Sequence, residues 1–318
     1  MHQGKARGSQ LIIYPDGTLY HIDLKKSDNI PPNIFLVGAA GRVNAIAKHF
    51  DSIQFGHQNK ERPEFYIVCG TYRGVPMAAM SHGIGVANIE IALTELHALF
   101  EFDCEKNKWS DTSARVNLIR VGTAGAVLEE IPLGTLAISR FSLGLDNLGV
   151  FYPPKYSSVD MVKENIDALF WRARQKANST HYVSTANPEV VEALQDAVSR
   201  TGEAESLAAC GISVASPGFF GPEGRRIGRI STAFTQSEFL EAMIKLEING
   251  FRVVNIEMET SVLFRLANEM LGYRAGAICT VLDNLVSDQM IDAAYAAERI
   301  ERCILVALEA MVELANNP

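Results

Sequence analysis

Val253-Val254-Asn255-Ile256-Glu257-Met258-Glu259-Thr260 is an apolar run that ends in two carboxylates at i and i+2. Val262, Leu263, Leu266, Ala267 and Met270 follow at helical spacing. The stretch therefore reads as a buried strand turning into a helix. Two acids at a strand end are costly to bury unless hydrogen bonds satisfy them. A sugar with two neighbouring hydroxyls is a suitable partner. For Glu257 the positive end of the following helix is an equal rival.

The same alternation extends both ways along the chain. Apolar runs at 34–37, 65–68, 77–80, 116–121, 135–139, 210–216, 252–256 and 276–282 read as strands. Segments 43–50, 188–201, 237–248 and 293–315 read as helices. After Gly85 a further helix places Ile89, Ala92, Leu93, Leu96, Leu99 and Phe100 on one face, with Glu90, Thr94, Glu95 and His97 opposite. Many strands are apolar on both faces, which is the pattern of an α/β protein with a central sheet covered on two sides. Residues 11–22 form a hairpin-like start around Pro15-Asp16-Gly17-Thr18, and 145–156 is a long aperiodic loop. No linker divides the chain, so the expectation is a disordered stretch at 1–9 and one domain over 10–318.

Composition excludes several classes. With 47% hydrophobic and 21% charged residues, the 318-residue chain has the make-up of an ordinary globular protein. A net charge of −8 offers no basic face for nucleic acid. The five cysteines are scattered, with no metal spacing, and read as buried free thiols in a reducing cytoplasm. No metal-ligand cluster stands out. Leu11 to Tyr14 is too short for a signal-peptide core, and no run approaches a membrane span.

Four glycine-bearing turns follow apolar runs: Gly38 to Arg42, Gly83 to Gly85, Gly122 to Gly125 and Gly218 to Gly224. Glycines let backbone N–H groups approach an anion closely. None fits a P-loop or a dinucleotide fingerprint, and each alone reads as a plain strand-to-helix turn. Two of them carry an arginine. Arg42 has a surface-cap alternative, but Arg120 lies inside Leu118-Ile119-Arg120-Val121, where a buried charge needs a partner.

Arg120-Val121-Gly122-Thr123-Ala124-Gly125, the segment ending Glu257-Met258-Glu259 and the Gly38–Arg42 turn together resemble the nucleoside phosphorylase family, which includes uridine phosphorylases and the hexameric purine enzymes. Order and spacing hold from about His21 to the C-terminus. The resemblance implies a mixed, twisted, partly barrel-like sheet flanked by helices. It implies a pentosyltransferase that exchanges the base of a nucleoside for phosphate, with inorganic phosphate as co-substrate and no cofactor or metal. By position, Gly38, Arg42, Arg120 and Thr123 are implied to hold phosphate, with Arg62 from the 57–64 loop. Glu259 is implied to grip the ribose hydroxyls, Met258 to pack under the sugar, and His21 to reach the ribose of a neighbouring subunit. Phe219, Glu223, Arg225 and Asp283 are implied to meet the base. Arg120, Glu259 and Arg225 are the implied catalytic set. The resemblance also implies a homo-oligomer, a dimer or a trimer of dimers, with sites at the dimer interface to which His21 and Arg42 contribute. Partners are a nucleoside and phosphate, with neither nucleic acid nor membrane.

Three departures bear on specificity. Glu223 stands where uridine phosphorylases usually have glutamine, and an ionised carboxylate only accepts hydrogen bonds. Asp283 stands where they have an asparagine-arginine pair and where the purine enzymes have an aspartate; a helix N-cap is its rival reading. Ala39-Ala40 replaces Asp-Pro. The expected substrate is uridine, on the strength of the Phe219–Arg225 loop. A purine nucleoside phosphorylase, a nucleosidase and a non-catalytic nucleoside-binding protein are the alternatives. Phe219 and Phe220 have a core-pair alternative, His82 reads as a turn histidine, and Tyr152 belongs either to a site cover or to an interface.

Overall fold

Asn33–Val37 is buried along its whole length and forms β1, the middle of a computed structural model that describes residues 8–152 and 181–317. Side chains buried on both faces demand parallel neighbours with covering helices. β1 has them: it pairs in parallel with β4 (Val75–Ser81) on one side and β5 (Asn117–Ala126) on the other. β2 (Ser52–Gln58) and β3 (Tyr66–Tyr72) extend the β4 edge antiparallel. β2 is largely exposed and lacks an apolar run, so periodicity gives no sign of it.

Beyond β5 the sheet curls. β5 pairs in parallel with β10 (Arg274–Asn284), and β10 pairs antiparallel with β6 (Leu136–Gly144). β6 and β9 (Phe251–Glu257) flank β8 (Ala208–Ala215), both in parallel with it. β9 then returns to β5 through the single pair Ile256–Gly125, which closes a five-strand ring. β7 (Tyr182–Thr185) adds to the edge of β6. The expected α/β architecture is therefore present, with a mixed twelve-stranded sheet that is barrel-like in one half.

The helices fall in two groups. α1 (Ala40–Ala47), α3 (Pro188–Arg200) and the long α6 (Ala293–Asn316) contact one another through α6. α2 (Val86–Glu101) packs with α5 (Thr260–Leu263) and the π-helical turns Phe264–Met270 that prolong it. Asn187 caps α3, with Pro188 in its first turn, and Asp292 caps α6 by accepting from the amides of Ala294 and Tyr295.

Several local expectations need correction. Gly122 to Gly125 is not a turn but the continuation of β5. Its glycines answer close approach: a Cβ on Gly122 would run into the Arg120 guanidinium and lie 2.7 Å from Cys279 Sγ, and one on Gly125 would lie 2.9 Å from Asp283 Oδ1. The helix read over 237–248 is α4 (Gln236–Ile244), and Glu247–Ile248 instead pairs antiparallel with Phe251 and Arg252. Asn249 and Gly250 both have positive φ, 52° and 81°, which makes this a two-residue hairpin turn. The Asp283 cap reading fails because Asp292 does that work; Asp283 is in β10, opposite Gly125 and Met290. The hairpin-like start is reduced to one bridge, Ile13 with Leu19. Most of the expected N-terminal disorder and residues 153–156 of the expected loop lie outside the described residues.

Glu203 ties the end of α3 to α6, accepting from Arg299 Nη2 at 2.6 Å and Arg302 Nε at 3.0 Å. Arg299 is buried and also donates to the carbonyl of Gly134 at 2.8 Å. Glu203→Ala strands that charge, and a broken buried pair costs about 3–5 kcal/mol. Urea denaturation should show a loss of this size; a loss below about 1 kcal/mol would contradict the pairing's structural role.

Candidate active site

The parallel strands β1, β4, β5 and β10 end on the same side, and in open α/β sheets ligands bind at such carboxyl ends. The ring closure between Ile256 and Gly125 brings the carboxyl end of β9 to the same place. The strand end that opened the sequence reading thus meets the glycine-arginine segments directly.

Arg120 is at the centre, 5% exposed. Its Nη2 pairs with Glu259 Oε2, its Nη1 stands 3.3 Å from Glu257 Oε2, and Nη1 donates to Cys279 Sγ at 3.0 Å. Gly122, two residues along β5, leaves the room that the guanidinium occupies. Glu257 accepts from the amides of Glu259 at 2.9 Å and Thr260 at 3.0 Å, and from Thr260 Oγ1 at 2.5 Å. It is the support at the start of α5, as the helix-end reading anticipated. Glu259 is held from the other side by the amide of Gly85, 2.7 Å from Oε1. Gly85 N-caps α2, so the Gly83–Gly85 turn positions Glu259.

The charges of this cluster depend on one another. Burial works to raise Glu259, but Arg120, His82 and the Gly85 amide outweigh it and hold the carboxyl below its usual range. Burial pushes Glu257 up, against the pull of Arg120. Burial would lower Arg120, but the two carboxylates more than restore its charge. Arg42 donates to the carbonyl of Val121 at 3.3 Å. Burial lowers its pKa, and the like charge of Arg120 adds to the effect. Arg42 thus lies beside Arg120 within the chain. Gly38 ends β1, with the Gly83 carbonyl 3.3 Å from where a Cβ would stand. Thr123 is half-buried on β5 and Met258 half-buried between the two acids.

A second cluster stands at the ends of β5 and β10. Glu223 is 2% exposed, and its Oε2 accepts from Arg225 Nε at 2.7 Å. Arg225 Nη2 is 3.6 Å from Asp283 Oδ2, and its guanidinium lies over the Phe219 ring at 4.1 Å from the centroid. Phe219 and Phe220 are exposed and meet edge to face at 5.1 Å, so the core-pair alternative is excluded. Four residues that the sequence singled out for a base are therefore adjacent.

His21 and Arg62 form a third group. His21 Nδ1 is 2.6 Å from Glu95 Oε1, and the Arg62 guanidinium covers the Tyr20 ring at 4.2 Å. Glu95 is ten residues along α2 from Gly85, roughly 15 Å at the helical rise. Among the described residues neither side chain has a hydrogen bond or ion pair to the Arg120 cluster. Glu95 is also buried rather than solvent-facing, because its carboxylate accepts the amides of His21 and Ile22 at 3.0 and 2.9 Å.

His82 is more than a turn histidine. It is fully buried, and among the described residues neither ring nitrogen has a hydrogen-bond partner. Burial lowers it to about 4, so it is a neutral ring beside Glu259 and Arg120. Its position one residue past the end of β4 was the readable signal. Cys279 and the Gly85 amide carried no sequence signal, since each acts through register or backbone. Among the described residues no group of acids, histidines and cysteines is arranged to hold a metal.

The chain belongs to the phosphorylase superfamily, whose family model matches residues 33–313. It is similar to the uridine phosphorylase of Thermococcus kodakarensis, 28% identical over 302 residues that cover 95% of this chain and 88% of that protein. The DeoD-type purine nucleoside phosphorylase of Dichelobacter nodosus is 28% identical over 251 residues, 78% of this chain and 79% of that one. A solved Trypanosoma brucei nucleoside phosphorylase, described as showing uridine phosphorylase activity, has 31% identity and a TM-score of 0.83, covering 95% of this chain and 99% of that one. The resemblance drawn from the sequence is thereby shown.

Gly122→Ala places a methyl group where Arg120 now packs. The expected outcome is an Arg120 displaced from Glu259 and a folded protein less stable by about 3–5 kcal/mol, the range for breaking a buried ion pair. Chemical denaturation together with a crystal structure checks it. An unmoved guanidinium at unchanged stability would show that Gly122 does not control the pair.

Proposed function

We propose that this protein catalyses reversible phosphorolysis of a pyrimidine ribonucleoside, uridine first: uridine and phosphate give uracil and ribose 1-phosphate. The observation that carries the reading is the arrangement of the two clusters on the same pair of strands. Gly122, against which Arg120 packs, and Gly125, opposite Asp283, are three residues apart on β5. That is roughly 10 Å of extended chain, the order of the distance from an anion beneath a sugar to the far edge of its base.

On this reading Arg42 and Arg120 bind phosphate, with Gly38 and Thr123 lining the same end. Glu259 accepts from the ribose 2′- and 3′-hydroxyls, and Met258 packs beneath the ring. The C1′–N bond breaks with its electron pair leaving on the base, and a phosphate oxygen forms the new bond to C1′. Positive charge develops on the sugar above the bound anion. Negative charge develops on the base beside Arg225. Such preorganised charges commonly supply the largest part of catalysis, and holding phosphate in line removes an entropic cost. The leaving base takes up one proton, and no protein nucleophile or cofactor is needed. His21 serves the ribose site of a neighbouring copy in a homo-oligomer, and Arg62 is a further phosphate ligand from the 57–64 loop. Among the described residues no helix is long and apolar enough to cross a membrane, in keeping with a cytoplasmic role in nucleoside salvage.

A purine substrate is the second reading. Asp283 beside Arg225 and the buried carboxyl of Glu223 favour it. A nucleosidase needs no phosphate clamp, and the convergence of Arg42 and Arg120 weighs against it.

Base release from uridine, thymidine, cytidine, inosine, guanosine and adenosine, with and without phosphate, separates these readings. We expect release only with phosphate and fastest from uridine. Release without phosphate would favour hydrolysis, a preference for inosine or guanosine would overturn the uridine assignment, and silence on every nucleoside would remove the enzyme reading. Arg42→Ala should raise the KM for phosphate by about tenfold or more, a loss on the scale of one charge-assisted hydrogen bond, and leave the KM for nucleoside within about twofold. Equal effects on both substrates would contradict its assignment to phosphate.

A further inference from the structure

We propose that Glu223 reads a pyrimidine-2,4-dione as the neutral acid, so that uracil recognition is coupled to one proton held on this side chain. The inference rests on the proposed function for its reaction, but the recognition step can be tested without turnover.

The geometry leaves one carboxyl oxygen, and one lone pair on the other, for a ligand. Glu223 Oε2 is taken by Arg225 Nε at 2.7 Å, and among the described residues Oε1 receives no hydrogen bond. The side chain is fixed in place. Glu223 ends the 3-10 turn Gly221–Glu223, and Gly224 follows at φ 71°. A Cβ on Gly224 would lie 2.5 Å from the Gln236 amide and 2.6 Å from the Thr235 carbonyl, so the loop is seated on the start of α4.

The far edge of uracil presents an acceptor, a donor and an acceptor: O2, N3–H and O4. An ionised carboxylate can accept from N3–H but sets its oxygens against a carbonyl oxygen. A neutral carboxyl donates its O–H, at Oε1, to that carbonyl, and Oε2 accepts from N3–H with the lone pair that Arg225 Nε leaves free. Arg225 then has its terminal nitrogens for the remaining carbonyl. The ionised form suits another edge, the adjacent N1–H and amino donors of a 2-amino-6-oxopurine.

The surrounding charges place the proton here. Arg225 faces Glu223 from its own loop, Asp283 faces the pair from β10, and one guanidinium stands against two acids, of which Glu223 is buried and Asp283 part-exposed. At the start of α4, Glu238 is engaged in accepting from the Thr235 amide and hydroxyl. Burial, with Asp283 adding to it, pushes Glu223 up to about 7 against the pull of Arg225. The sign is that of a raised acid: neutral below about 7, ionised above.

Two measurements on the full-length protein test the inference. Calorimetry of uracil binding at about pH 8 in buffers of different ionisation heat should show uptake of close to one proton by the wild type and none by Glu223→Gln. The ratio of wild-type to E223Q kcat/KM for uridine should fall about tenfold per pH unit above about pH 7. Ionisation of phosphate itself moves both proteins alike and cancels in that ratio. Asp283→Asn should move the fall to lower pH, because it removes the repulsion that holds the proton. Uracil binding without proton uptake, no uracil binding at any pH, or a constant ratio would overturn the inference. Proton-linked uracil binding with no release from any nucleoside in phosphate would leave it standing and overturn the proposed reaction instead.

Discussion

A guanidinium almost wholly withdrawn from water organises this molecule. Arg120 is buried inside β5, and removing such a charge from solvent costs several kcal/mol unless partners surround it. Those partners come from far along the chain: Glu257 and Glu259 from the end of β9, Cys279 from β10. Each must arrive at one register. The parallel pairing that sets Cys279 opposite Gly122, and the closure of β9 onto Gly125, are therefore requirements of this ion cluster as much as of the apolar core. The two glycines on β5 belong to the same constraint, since a side chain at either would displace a charged group.

The cluster also sets what the site can exchange. Glu257 is saturated with donors from the start of α5 and has little left to offer a ligand. Glu259 has one oxygen on the Gly85 amide and the other on Arg120. On the proposed roles, sugar hydroxyls and phosphate replace that second contact together: the hydroxyls take the carboxylate while the anion takes the guanidinium. Neither replacement is favourable alone, because each strands a buried charge. On those roles the charge balance couples the occupation of the two subsites.

The architecture was legible because its signals are local. Apolar runs of strand length, the i, i+3, i+4 stripe from Ile89 to Phe100 and the abrupt acids after Ile256 each report a neighbourhood of a few residues. What was misread depends on contacts between distant segments. Gly122 to Gly125 has the composition of a turn, yet steric room beside Arg120 and Asp283 keeps it extended. Glu95 looks like a solvated helix residue until the His21–Ile22 amides turn toward it. Asp283 resembles a cap, but the helix begins ten residues later, behind Asp292. The site was legible to the extent that the family pattern supplied residues. Its gathering into three groups, with no hydrogen bond or ion pair from His21 or Arg62 to the Arg120 cluster among the described residues, was visible only in three dimensions.

The two charged clusters solve the same electrostatic problem in opposite ways. Around Arg120 the acids are tied down by backbone amides, and Glu259 keeps its charge beside the guanidinium. Around Arg225 the acids have few other donors. Among the described residues Glu223 accepts from Arg225 alone, and Asp283 is beyond hydrogen-bond distance from that arginine. A proton is the remaining way to lower the charge. A site that must hold a fixed anion and a fixed sugar needs the first solution. A site that distinguishes bases by where their donors lie can use the second, because moving one proton converts an acceptor into a donor while every heavy atom stays in place.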